Sequence, residues 1–254
     1  MVALLARRVA MAFFVVLVGS VFTASAFGQV TWTGSGDGVS WSDGANWSTG
    51  LPPSSMDNVV IDLANATVQY DATACCDIDG LTVSGSGAQL EVVSGMRLDV
   101  RGNLAFSAGT ITGAGDFNVD GTVSWTGGDF RGSGLSDFFG NVDVTGFGLR
   151  RIVDRTVSFY GNVNVTNTNL NFDLIVRQEN ANISIYNSAV FSFLTDRTAW
   201  LASGSTELYL EGTIQKTGGT GSSVFTTAIS GFGLLCATSG TLQISVLGAA
   251  NAFS

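Results

Sequence analysis

Gly102-Asn103-Leu104-Ala105-Phe106 comes back as Gly121-Thr122-Val123-Ser124-Trp125, as Gly140-Asn141-Val142-Asp143-Val144 and as Gly161-Asn162-Val163-Asn164-Val165. The leading glycines are 19, 19 and 21 residues apart. Aligned without a gap, 109–127 and 128–146 share seven of 19 positions, among them the glycine pairs 109/128, 113/132, 115/134 and 121/140. An apolar-x-apolar pair has period 2, the mark of a strand with one buried face. A fixed repeat near 20 residues marks one structural unit stacked many times. Each repeat carries about three such runs, for example Phe117/Val119, Val123/Trp125 and the single Phe130, with glycines as corners between them. Together these predict an all-β, single-stranded parallel β-helix with turns of about 19–22 residues. An antiparallel sandwich also has short strands and frequent turns, but nothing in it requires glycines to recur in register.

The apolar pairs continue outside this core at Leu81/Val83, Ile183/Ile185, Leu208/Leu210 and Leu242/Ile244. The residue between each pair should face outward. That column is read as Thr82, Ala105, Ser124, Asp143, Asn164, Ser184, Tyr209 and Gln243, nearly all polar. A single turn cannot bury its own apolar face, so stability should be collective.

Residues 1–26 read as a secretory signal. Arg7 and Arg8 form a basic start, Val9 to Phe22 an apolar stretch, and Ala24-Ser25-Ala26 an A-x-A cleavage pattern. The apolar stretch is short for a membrane span of about 20 residues. Residues 27–72 are read as an N-terminal cap with its leading strand, and 73–254 as β-helix repeats. The net charge is −9, and loss of Arg7 and Arg8 takes it to −11. An acidic chain without histidine is a poor nucleic-acid binder. Gly is abundant at 33 residues and Pro scarce at two, which excludes collagen, while 45% apolar residues argue against disorder.

Three of the five tryptophans, Trp32, Trp41 and Trp47, fall in the cap. The first turn of a solenoid has no neighbour, so its end must be covered. Large aromatics on the Gly36-Asp37-Gly38 and Asp43-Gly44 turns suit that task. Trp41 and Trp47 are also candidates for stacking on sugars. Both would lie on one strand face only if no turn intervened, and Asp43-Gly44 marks one.

This segment is similar to the opening of large exported bacterial β-helix repeat proteins of the adhesin and autotransporter-passenger type. The tail adds to the likeness: Lys216-Thr217-Gly218-Gly219-Thr220-Gly221, then Phe232, then Ser239-Gly240-Thr241-Leu242. The chain departs from the pattern at Gly233-Leu234-Leu235-Cys236, where an Asn-x-Gly turn and a β-branched strand are expected, so the last turn should be less regular. The resemblance implies a secreted or surface scaffold and names no ligand.

Without histidine, Ser-His-Asp and Cys-His catalysis and histidine metal sites are excluded. Carbohydrate-active β-helices can work with carboxylates on one sheet, sometimes with calcium and a basic residue. Asp99, Asn118 and Asp137 form a column at 19-residue steps and are a weak calcium candidate. Thr112, Arg131 and Arg150 form a second such column. A lyase-like groove would need Asp99, Asp137 and Arg131 or Arg150 to converge. An alternating Asp–Asn–Asp column is also what a solvated face adopts to keep like charges apart. Cys75, Cys76 and Cys236 admit no scheme pairing all three, and their spacing matches no zinc site.

The expected function is therefore a secreted or surface-exposed non-enzymatic scaffold, with carbohydrate binding or cleavage as the alternative. No cofactor is called for. The partners implied are extracellular polysaccharide or a cell surface, and further copies of the chain. The last of these follows from the C-terminal turn, where residues 245–254 look too short and apolar to cap the open strand edges.

Overall fold

The computed structural model describes residues 28–71, 77–146, 148–168 and 174–245. They form a succession of short parallel strands in about eight turns, the expected β-solenoid. Each turn contributes one strand to each of three sheets, of nine, eight and ten strands. Thr110–Thr112, Asp116–Val119 and Val123–Trp125 make up one such turn. The only helical element among the described residues is a 3-10 turn at Gly44–Asn46. No described helix is long and apolar enough to cross a membrane.

Period-2 alternation puts every second side chain inside. In the ten-stranded sheet, Leu81, Leu104, Val123, Val142 and Val163 lie in register one above another, and the column runs on through Phe191, Ile214 and Leu235. The inside is one continuous apolar core. It holds an aromatic seam in which Trp200 packs on Trp125, Phe159, Phe191 and Phe225.

The repeating glycines are required by close stacking. A Cβ on Gly121 would sit 2.2 Å from Gly102 O, on Gly140 2.1 Å from Gly121 O, and on Gly161 2.2 Å from Gly140 O. Gly212 and Gly233 continue this corner, Gly212 against Ala189 O and Gly233 against Gly212 O. The last turn is thus more regular than its sequence suggests. Leu234–Ala237 pairs residue for residue with Thr213–Lys216.

Two predicted columns slip. Ser184 and Tyr209 belong to the eight-stranded sheet and Gln243 to the nine-stranded one. The residues that follow Asn164 outward are Ser192, Gln215 and Cys236. The cause is the turn from Val163 to Phe191, which is 28 residues rather than 19–22. Arg150 likewise leaves the Arg131 column, because Arg131 pairs with Val153. Arg150 instead pairs with Val176 and points inside, fully buried.

The tryptophans of the N-terminal segment pack together inside the fold. Trp32, Trp41 and Trp47 are each at most 2% exposed. Trp47 meets Trp32 and Trp41 edge-on at 4.9 and 4.7 Å, and Trp41 meets Tyr70 at 5.1 Å. Trp47 Nε1 donates to Trp41 O at 2.7 Å. Buried Asn46 ties the Gly-rich turn together: its Oδ1 accepts from Gly36 N and Gly38 N, and its Nδ2 donates to Asp37 Oδ1 and Ser40 O. The signal segment 1–26, Cys75, Cys76 and residues 246–254 lie outside the described residues.

Candidate functional site

The eight-stranded sheet carries the predicted Asp99–Asn118–Asp137 column in register. It begins at Asp77 and continues through Ser158, Ser184, Tyr209 and Ser230. Alternation turns these side chains outward, since their strand neighbours Leu98, Val100, Phe117 and Val119 fill the core. Asn118 Nδ2 donates to Asp99 Oδ1 at 3.0 Å. Asn118 Oδ1 is buried without a hydrogen-bond partner. An amide has one donor end and one acceptor end, and between two carboxylates only one neighbour can be served.

The basic groups beside this column are not those predicted. Arg131 lies on the nine-stranded sheet and pairs with Asp129 at 3.0 Å, as does Arg151 at 2.6 Å. The hydrogen bond to Asp129 moves the Arg151 pKa up, helped by the Asp129 and Glu179 charges and opposed by burial. Arg150 is inside the coil, donating to the carbonyls of Trp125, Thr126 and Thr145, and burial pushes it down to about 10. The convergence of Asp99 and Asp137 on Arg131 or Arg150 does not form. Arg97 and Arg101 stand there instead: Arg97 pairs with Asp99 at 2.9 Å and Arg101 with Asp77.

Asp99 and Asp137 are separated by two strand spacings, about 10 Å, with Asn118 between them. Paired glycosidase carboxylates stand roughly 5–9.5 Å apart on either side of one bond. Among the described residues, no group of three or more His, Cys, Asp or Glu is placed to hold a metal ion; Asp99, Asn118 and Asp137, two carboxylates and an amide, lie in register on adjacent strands.

A second column runs beside the first, one residue past each strand: Arg101, Asp120, Phe139, Tyr160, Tyr186, Glu211 and Phe232. Each donates its N–H to a carbonyl one turn back, for instance Asp120 to Val100 O and Tyr160 to Phe138 O, both at 2.9 Å. Three of its members form a ladder of stacked rings. Phe139 and Tyr160 are 4.8 Å apart and tilted by 15°, Tyr160 and Tyr186 4.4 Å apart and tilted by 5°. Burial, then the hydrogen bond with Tyr186 and the Asp137 charge, pushes the Tyr160 phenol up to about 12. Tyr209 Oη donates to Glu211 Oε1 at 2.9 Å, which raises its pKa.

Stacking covers the inner faces of the ladder and leaves its ends open. At the Phe139 end the next residue is the short Asp120, and a cleft of about 270 Å³ opens there, lined by Asp77, Arg97, Asp99, Arg101, Asn118, Asp120 and Phe139. The sequence signal for this column was available: Arg101, Asp120, Phe139, Tyr160, Glu211 and Phe232 each directly precede a corner glycine. By contrast, Trp41 and Trp47 have no ring face open to a sugar.

Searches against protein-family models, curated proteins and solved structures return no match.

Proposed function

We propose that this chain is a secreted or surface-exposed, non-enzymatic β-helix scaffold of the adhesin or passenger type. Its eight-stranded face meets an extracellular polysaccharide or a cell surface. The observation that carries this reading is the pair of parallel columns on that face, one polar and one aromatic, running over successive turns of a rigid coil. A regular array of this kind suits a repeating partner, since both repeat along one axis. The signal-like start of the chain supports export.

The cleft beside Phe139 favours carbohydrate binding as the specific form of this role, the alternative already raised by the sequence. Cleavage is disfavoured by the wide separation of Asp99 and Asp137 and by the ion pairs that neutralise the nearby carboxylates. Co-sedimentation of the secreted protein with insoluble polysaccharides tests the reading, together with a reducing-end assay. Binding without release of sugar ends is expected, and Asp99→Asn with Asp137→Asn should leave the fold intact. Release of sugar ends by the wild type, abolished in that double variant, would make the protein an enzyme.

A further inference from the structure

We infer that the cleft between Arg101 and Phe139 is a subsite for one uncharged pyranose ring; this deepens, and rests on, the carbohydrate-binding reading above. Four observations meet here. First, the position is a gap in a ladder. Phe139 stacks one face on Tyr160 at 4.8 Å. Its other face looks toward the turn of Asp120, a side chain too short to cover it, and Phe139 is 46% exposed. A ring placed there continues the stack, and an aromatic face attracts the weakly positive C–H face of a sugar through its quadrupole.

Second, the space fits one ring. At about 270 Å³ the cleft is below the roughly 300–1,000 Å³ of drug-sized sites. Third, both hydrogen-bonding senses are present. Arg97 and Arg101 offer guanidinium donors, and Asp120 offers a carboxylate with no partner among the described residues. Hydroxyl groups both donate and accept, so a polyol uses all three.

Fourth, the charges are mixed. Three carboxylates, Asp77, Asp99 and Asp120, face two guanidiniums, Arg97 and Arg101. A cationic side chain would meet the arginines, and a uronic acid would meet Asp120. A neutral ring meets neither penalty.

The test is a glycan array of neutral, amino-sugar and uronic-acid oligosaccharides probed with the secreted protein, followed by titration of the best neutral hit. Phe139→Ala and Asp120→Ala should each weaken binding about tenfold, with the circular dichroism spectrum kept. Arg177→Ala, on the nine-stranded sheet, should bind as the wild type does. Neutral-sugar binding unaffected by either cleft variant would overturn the subsite and leave the carbohydrate-binding reading standing. No binding to any glycan would remove both. Preference for amino-sugars or for an arginine-rich peptide, lost in Asp120→Ala, would overturn the uncharged ligand and make the cleft a cation site.

Discussion

Arg155 Nε donates to Ser136 Oγ at 2.7 Å inside the coil. Ser136 occupies a core position between Phe117 and Val157, where an apolar side chain is the rule. The room it leaves takes a guanidinium. Arg155 Nη1 then reaches Gly113 O and Arg131 O, and Nη2 reaches Gly115 O and Leu135 O, at 2.7–3.2 Å. One buried cation thus stitches corner carbonyls of two preceding turns. Burial lowers its pKa to about 10, and it remains charged at neutral pH.

Arg155→Met should therefore cost about 3 kcal/mol or more, because it leaves several buried acceptors unpaired. Ser136→Val should also destabilise, by about 1–3 kcal/mol, although it makes the core more apolar. Urea denaturation followed by tryptophan fluorescence measures both. A more stable Ser136→Val protein would show that Arg155 is not held by this contact.

Gly140→Ala places a methyl group 2.1 Å from Gly121 O, where backbone has to move. The expected loss is about 2 kcal/mol or more. Gly50→Ala is a useful contrast, since no atom lies within 4 Å of its added carbon. Its cost should come only from its positive φ of 72° and stay near 1 kcal/mol. Equal melting temperatures for the two variants would contradict the corner stacking.

Val142 is 1% exposed between Val123 and Val163. Val142→Asp buries an unpaired charge at a cost of several kcal/mol. The variant should fail to accumulate as folded protein. A wild-type melting curve for it would remove the register of the ten-stranded sheet.

Acid should weaken the coil at two places, the N-terminal segment and the corner that holds Asp196. Backbone N–H groups of Gly221 and Thr220 and the Lys216 ammonium hold the Asp196 carboxyl below its ordinary range. Bonds from Ser40, Val39 and Asn46 do the same for Asp37 in the cap. Both carboxyls have folded pKa values below their unfolded ones. The stability they contribute is complete above the unfolded value, about 3.9, and is lost as pH falls through the folded value. Urea midpoints should fall between pH 5 and pH 2. Asp37→Asn should be less stable at neutral pH and show a smaller acid loss. An Asp37→Asn protein with the wild-type acid response would show that this carboxyl does not contribute.

The polar half of the candidate site was legible by counting equal steps, whereas the aromatic half is marked only by the corner glycines that follow Phe139 and Tyr160 and, at Tyr186, not even by those. Asp99, Asn118 and Asp137 lie at equal steps of 19, so counting residues finds them. From Phe139 to Tyr160 the step is 21 and from Tyr160 to Tyr186 it is 26, so counting fails. Arg150 shows the same limit from the other side. Its 19-residue offset from Arg131 suggested a shared outward column, but the lengthened strand Gly148–Val153 shifts the register by three and turns Arg150 inward. Lys216 opens the Lys216–Gly221 run of the tail. It is buried at the end of its strand and reaches the Asp196 carboxylate at 3.0 Å, which gives the Lys216–Gly221 corner a physical role.

The sequence by itself determined the strand alternation, the stacked glycine corners and the tryptophan-filled cap. These are local or strictly periodic properties: a side chain's face follows from parity, and a glycine is needed wherever two backbones touch. Tertiary structure alone decided which sheet each apolar pair joins beyond Val165, which cations go inside, and that Phe139, Tyr160 and Tyr186 stack beside Asp120. Those relations depend on how much chain each corner absorbs. A corner can lengthen by several residues without altering the strands it joins, so spacing in the chain ceases to report position along the coil.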